Sequence, residues 1–313
     1  VNLVHDALSR VVAVVNGKGG VGKTTITANV GGLLAAGGYR VLLVDLDPQG
    51  NLAEELGYTA TDRDDAGRAL AQALAFGGAF EPSRDVRPNL DVLVGGAHLD
   101  MAAAGLTVKA QKNPVGAKLA LAEGLASIAG EYDLVLVDCP PGQETLQQAA
   151  LAAARWALIP VKTDASSRKG LRDVARRLRA VLDVNPDLDL LGVVLFGVNR
   201  SAHRVSESAR SAIAADLGDT GSVFTASIRH VEAAAQETRD RGLLVHELER
   251  AVQAGPTWWE VRRSGRTEDD GPRVRSAGGL AEDFHALGQE IIARITAGEA
   301  AAAATPTLVG VRP

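Results

Sequence analysis

The sequence predicts an α/β protein: one mostly parallel, twisted sheet wrapped by helices on both faces, with ligand loops at the carboxyl edge of the strands. Composition points that way, since 46% of residues are hydrophobic and only 4% aromatic, with Ala, Val and Leu abundant. Short uninterrupted apolar runs, VVAVV from Val11 and LVLV from Leu134 among them, read as strands buried on both faces. Helical spacing of apolar residues follows them, and that alternation of strand and helix is what parallel pairing requires.

At 313 residues the chain can bury a large core in one or two domains, and the reading is one domain over 1–297, a flexible insertion at 255–279 and a disordered tail at 298–313. A net charge of −5 excludes a globally basic nucleic-acid binder, so any DNA contact has to come from a local patch. No uncharged apolar run is long enough to span a membrane, and no secretory leader is expected before Val11. The single Cys139 allows neither an intrachain disulfide nor an iron–sulfur site, and a cytoplasmic location is expected.

The first apolar run breaks into glycines as VVAVVNGKGGVGKTT, Val11 to Thr25. Gly17, four residues, then Gly22, Lys23 and Thr24 have the spacing of a P-loop. Backbone N–H groups must approach polyphosphate oxygens closely here, and Gly17, Gly19, Gly20 and Gly22 lack the Cβ that would prevent it. The helix beginning near Thr24 points its positive end at the same phosphates. Lys23 is expected at the β/γ oxygens and the Thr24 hydroxyl at Mg²⁺, with Val21 and Thr25 completing the nucleotide-binding run.

Lys18 exceeds what a generic P-loop needs. The string KGGVGKTT is the deviant Walker A box, and with it the chain resembles the ParA/MinD family of ATPases. In that family the first lysine reaches the neighbouring subunit's phosphates across a dimer interface. The resemblance implies that role for Lys18, with Mg²⁺ and ATP as cofactors and a homodimer that forms on ATP binding. The bland alternative is a solvated loop lysine.

The remaining elements follow in order. Ile26, Val30, Leu33 and Leu34 give the first helix its apolar face, and Gly37-Gly38 stop it. A strand from Arg40 to Val44 then enters VLLVDLDPQGN, placing Asp45 and Asp47 at a buried strand's carboxyl end. Matching the family's D-x-D-P-Q segment implies that Asp47 positions or activates the attacking water, whereas Asp45 is open between site and turn. Residues 51–79 alternate helical pattern with an acidic, glycine-broken loop. Leu90 to Val94 reads as a strand, Gly95-Gly96 lead into a short helix containing Met101, and Lys109 to Lys112 reads as a surface loop. In DLVLVDCPPG, Asp133 to Gly142, four apolar residues run to Asp138, and Pro140-Pro141 forbid continuation of the ladder. The family's D-x-P-P motif implies a Walker B role for Asp138, holding Mg²⁺ through water opposite Thr24, with Gly142 and Gln143 in a second switch. Cys139 reads as a small buried side chain.

Trp156 to Val161 is a further strand, and the helix after it is unusual. Leu171, Val174 and Leu178 line one face while Arg168, Arg172, Arg176 and Arg179 stack on the other. Between Arg155 and Arg210 eleven Lys or Arg stand against six Asp or Glu. A charged outer face is ordinarily solvation. Similarity to ParA proteins, which bind DNA nonspecifically as ATP-bound dimers, makes phosphate contact by Arg168, Lys169, Arg172, Arg176, Arg200 and Arg204 the functional alternative. Leu191 to Val198 reads as the sixth strand and ends at Asn199, where the family's asparagine reads the adenine ring with its paired donor and acceptor. Val223 to Ile228 and Arg229-His230-Val231 resemble the family's I-P-R-N-V segment, except that Ile228 replaces the proline and Glu232 stands where several relatives carry a basic residue. Arg210 is expected to continue the basic surface, and His230 has no partner at metal spacing.

Trp258-Trp259 mark the 255–279 insertion, Leu280 to Ile295 reads as an amphipathic helix, and the alanine-rich end lacks the basic amphipathic helix that anchors MinD to membranes. The ten residues before the first strand are expected to leave no room for an N-terminal helix-turn-helix domain. The resemblance therefore implies a ParA/Soj-type partition ATPase with weak intrinsic activity, nonspecific double-stranded DNA and a ParB-like centromere-binding protein as partners, no membrane partner, and a nucleoid-associated location. An orphan ParA- or MinD-like ATPase positioning another cargo or a division-site complex is the alternative. A metabolic P-loop kinase would need an acceptor pocket that the sequence does not identify.

Overall fold

Residues with β-branched or long aliphatic side chains on both sides of the backbone need cover on both faces, and the strands obtain it by lying inside one sheet. The computed structural model describes residues 7–199, 203–219, 221–255 and 277–304, and of residues 165–170 and 203 the backbone alone. Its strands are β1 (Val11–Val14), β2 (Val41–Asp45), β3 (Ser83–Arg87), β4 (Leu90–Leu93), β5 (Leu134–Asp138), β6 (Trp156–Val161), β7 (Asp189–Val198) and β8 (Val223–Arg229). They are hydrogen-bonded in the order β3-β4-β2-β5-β1-β6-β7-β8, parallel throughout except for the antiparallel β3–β4 pair. Val12 and Val14 of β1 face one core and Val11 and Ala13 the other, with none more than 1% exposed.

The helices up to β5 are α1 (Lys23–Ala36), α2 (Asn51–Glu55), α3 (Arg68–Phe76), α4 (Leu99–Lys112), α5 (Pro114–Lys118) and α6 (Ala120–Ala126). After β5 come α7 (Glu144–Ala153), α8 (Ala165–Arg179), α9 (His203–Leu217), α10 (Glu232–Arg241), α11 (Val245–Ala254) and α12 (Ala277–Ala304). Helices α1, α11 and α12 pack Ile26, Val245, Phe284 and Leu287 against one face; α4, α6, α7 and α8 pack Leu106, Leu121, Leu146 and Val174 against the other. Chain order reverses around β1, so the loops after β1, β2 and β5 meet at one edge, where open α/β sheets hold ligands.

Four expectations change. Lys109 to Lys112 closes the 14-residue helix α4 instead of forming a loop, because Leu99, Ala102 and Leu106 supply a buried stripe that carries the helix on. Leu191 to Val198 lies in the seventh strand instead of the sixth, because polar Ser83–Arg87 forms β3, which completes the sheet edge through the Arg84–Asp91 ion pair (2.9 Å) and through antiparallel pairing with β4. The chain past Gly298 is not a disordered tail as far as Ala304: α12 continues through it, since alanine is the best helix former. Gly298 lies against the Trp156 ring, and Glu299 pairs with Arg10 at 2.8 Å. Finally, the Arg210 guanidinium donates to the carbonyls of Phe224 and Thr225 and so serves β8. Of the 255–279 insertion, residues 277–279 begin α12, and Trp258-Trp259 lie outside the described residues.

Helix α12 does more than bury apolar surface. β8 is an edge strand, and polar side chains of α12 satisfy its backbone. Glu290 accepts from the N–H groups of Thr225 and Ala226 (3.0 and 2.9 Å), and Asp283 from that of Arg229 (2.9 Å) while pairing with its guanidinium. Arg294 donates to the carbonyls of Leu191, Gly221 and Val223 and lies over the Phe224 ring at 4.0 Å. Leu287, 0% exposed, sits in the middle of this contact. Leu287→Ala is expected to lower unfolding free energy by about 2–5 kcal/mol in urea titration. Leu182→Ala, on a side chain 43% exposed, should change it by about 0.5 kcal/mol.

Candidate nucleotide site

The turn out of β1 is fixed before the glycines begin. Asn16, 1% exposed, donates from Nδ2 to the Pro160 carbonyl (2.8 Å) and accepts the Lys18 N–H on Oδ1 (2.9 Å), tying the loop to the end of β6. Gly22 ends the loop as the N-terminal cap of α1 at φ 90°, and a Cβ there would run into the Phe196 ring of β7. Conformation and packing therefore both demand glycine at this position. Gly17, Gly19 and Gly20 line the intervening turn, Val21 is buried beneath it, and Thr24 and Thr25 open the first turn of α1 half-buried.

Lys23 is 5% exposed and donates to the Lys18 carbonyl at 3.2 Å. Burial lowers its pKa, opposed by Asp138 and Asp47 nearby. Lys18 sits on the outer rim, where its ammonium stands 3.2 Å from Asp164 in the loop between β6 and α8. Both side chains are close to half exposed (40% and 47%), and an ion pair in that setting contributes about 0–1 kcal/mol. Lys18 is thus held on its own chain without being committed to it.

Opposite the loop, Asp45 and Asp138 are neighbours in the β2–β5 ladder, and both are fully buried. Asp45 accepts the Asp47 N–H at 2.9 Å, and a Cβ on Gly95 would collide with the Asp45 carboxylate and carbonyl. That geometry gives Asp45 the turn rather than the open site. Burial beside Asp138 holds its pKa well above the usual carboxylate range. Asp47, 5% exposed, accepts the Gln49 N–H at 3.0 Å. Neither Asp138 oxygen completes a hydrogen bond; burial pushes its pKa up to about 7, against the approach of the Thr24 hydroxyl and the Lys23 ammonium. Among the described residues no three His, Cys, Asp or Glu side chains converge as a metal cage. An orphaned carboxylate beside a threonine hydroxyl suits a cation that takes its other oxygens from phosphate and water, which is how Mg²⁺ is ordinarily held.

A family profile described as an AAA domain matches residues 9–190. The chromosome partitioning protein ParA of Caulobacter vibrioides is 34% identical over 76% of this chain and 88% of its own length. The chain belongs to the ParA/MinD family of ATPases. Its fold is also that of a solved cobyrinic acid a,c-diamide synthase of Mycobacterium smegmatis with bound ATP analogue and magnesium, at a TM-score of 0.57 and 33% identity over 66% of this chain and 79% of that one. A complex of Cyanothece McdA, carrying one substitution, with ATP is 19% identical and shares the fold at a TM-score of 0.69 over 91% of this chain and 96% of that one.

Within this ParA-family fold the expected residues divide. Gly17 to Thr25, Asp47 and Asp138 converge on one sheet edge. Asn199 directly follows β7, the strand whose Phe196 ring covers Gly22. Arg172, Arg176 and Arg204 are exposed on α8 and α9, the side chains of Arg168 and Lys169 lie outside the described atoms, and Arg200 lies outside the described residues. Sequence reasoning missed Asn16, Glu55, Gln147, Arg177 and Phe196. Glu55, 6% exposed, accepts the Thr25 hydroxyl at 2.9 Å, and nothing in a helical pattern distinguishes such a residue from a surface glutamate.

Folded protein keeps the Asp138 proton up to about pH 7, while the unfolded chain releases it near 3.8. The native state therefore binds more protons across that window, and this group's contribution to stability is lost as pH rises through it. Melting of the nucleotide-free protein at pH 5 and pH 8 tests this: Asp138→Asn should gain on wild type at the higher pH. An equal gap at both values would contradict it.

Proposed function

We propose that this chain is a DNA-partition ATPase in which Mg·ATP drives two copies face to face. The dimer binds nonspecific double-stranded DNA, and hydrolysis, stimulated by a ParB-like protein, releases it. The observation that carries the reading is Lys18. Its ammonium stands at the rim of the phosphate loop in an exposed pair, and the phosphate oxygens of a facing copy would be a stronger acceptor than Asp164. Dimerisation then depends on nucleotide, because only the triphosphate neutralises the lysines brought together at the seam.

In each site the glycine turn and the α1 N-terminus would hold the phosphates, Lys23 would leave the Lys18 carbonyl for the β/γ oxygens, and Asn199 would meet the adenine edge. Thr24 and Asp138, the latter through water, would hold Mg²⁺, whose chemistry is to neutralise charge on the β and γ oxygens. Asp47, fixed at the mouth of its turn by Asp45, would orient the water that cleaves ATP to ADP and phosphate. The exposed arginines of α8 and α9 suit phosphate contacts without base reading.

The 34% identity to a chromosome partitioning ParA supports partition over the orphan ParA- or MinD-like alternative, which shares the nucleotide steps and differs in cargo and stimulating partner. Lys18→Ala should still bind nucleotide yet form no ATP-dependent dimer by light scattering; an unchanged dimer would remove the cross-subunit role. Arg172→Glu with Arg176→Glu should reduce duplex affinity at least about tenfold and flatten the log–log salt dependence by about two. Retained affinity and slope would place the DNA surface elsewhere.

A further inference from the structure

Helix α8 is tied to the nucleotide loop at two points. One is the Asp164–Lys18 pair where the chain turns into the helix. The other lies three turns on, at Arg177, which departs from the outward arginine row and points back toward the sheet edge. Its Nη1 donates to Gln147 Oε1 of α7 at 2.6 Å. The same guanidinium lies against Gly17: a Cβ on that glycine would stand 2.6 Å from Nη1 and 3.3 Å from Cζ. Gln147 is 0% exposed, and its Nε2 donates to the Pro140 carbonyl, two residues past Asp138. One side-chain pair thus joins the start of the phosphate loop, the turn after β5 and the helix whose other face carries exposed arginines.

The chemistry of the pair makes it directional. A primary amide offers an acceptor and a donor at opposite sides of one rigid plane, and Gln147 uses both inside the protein. Arg177 meets the acceptor with a planar, cationic fork of donors. Shifting α8 would carry the guanidinium off Gly17 or pull Gln147 away from the turn after β5. The first changes the positive potential beside an anion-binding loop; the second moves the backbone that follows Asp138.

We infer that Arg177, held by Gln147, is a positioning residue that couples α8 to the nucleotide loop, so that a polyanion on the arginine face of α8 and a nucleotide on the Gly17–Thr24 loop change each other's affinity. The DNA half rests on the function proposed above, and the nucleotide half stands without it. Coupling of this kind is reciprocal: each ligand must tighten the other by the same factor. A purely structural brace between α7 and α8 would lower stability in the variants and leave that factor untouched.

The test measures affinity for a nonhydrolysable ATP analogue with and without a short DNA duplex, in wild type, Arg177→Met, Arg177→Lys, Gln147→Met and the Met–Met double variant, with a melting curve for each. In wild type the duplex should tighten analogue binding about tenfold, within the ordinary range of such couplings. Arg177→Met and Gln147→Met should each cut that factor to about twofold, and the double variant should do no more than either, as expected for residues acting as one unit. Arg177→Lys, which keeps the charge and a donor, should recover part of it. Folded Met variants that retain the wild-type factor overturn the inference. If wild type itself shows no coupling to DNA, the DNA reading of α8 has failed, and analogue affinity alone decides: a parallel loss in both Met variants upholds the positioning role, and unchanged affinity in both overturns it.

Discussion

Two carboxylates side by side at the dry end of a sheet are the constraint around which the site is built. Asp45 and Asp138 occupy paired positions on adjacent parallel strands, without solvent, and only Asp45 obtains a backbone N–H in return. Like charges so placed resist ionisation together, and an unpaired buried carboxylate is expensive by several kcal/mol, on the order of a whole domain's margin of stability. Burial raises the proton affinity of both groups, and a retained proton would relieve part of that cost. Lys23 supplies part of the missing charge from the loop opposite; Asp138 and Asp47 favour its protonated form, against the larger effect of burial, which lowers its pKa. Folding alone would not favour this arrangement, and a cation held at the edge would offset its cost.

Surrounding elements read as supports for this edge. Gly95 lies against Asp45, Phe196 against Gly22, and Asn16 fastens the loop to β6, so the turn does not depend on glycines alone for its shape. Position is fixed by contacts from strands far apart in the chain. Lys18 is different: its pair with Asp164 is half exposed to solvent, which weakens it, whereas Lys23 is buried against the Lys18 carbonyl.

Much of this was legible in the sequence because the relevant residues are consecutive. VVAVVNGKGGVGKTT declares strand, loop and helix in fifteen letters, and DLVLVD and VLLVD place their aspartates by counting along a buried strand. What escaped depends on residues distant in the chain. β3, written SRDVR, has no apolar alternation because it closes an edge with ion pairs. Lys109 to Lys112 carries charge on the solvent face of a helix whose other face decides its extent. Gln147 and Arg177 meet across thirty positions, and each alone reads as an ordinary helical surface residue. Propensity and periodicity report on local preference and burial; they carry no information about which polar side chains face one another.

The seal that α12 places over β8 has a consequence for assembly. With Glu290, Asp283 and Arg294 occupying the backbone groups of that outer strand, the sheet offers no open ladder there for a neighbouring chain to extend. Continuation of the sheet through β8 is therefore not a route by which copies of the chain could associate. Loss of the final helix would bare those backbone groups, and an exposed strand edge is the kind of surface that pairs with another chain.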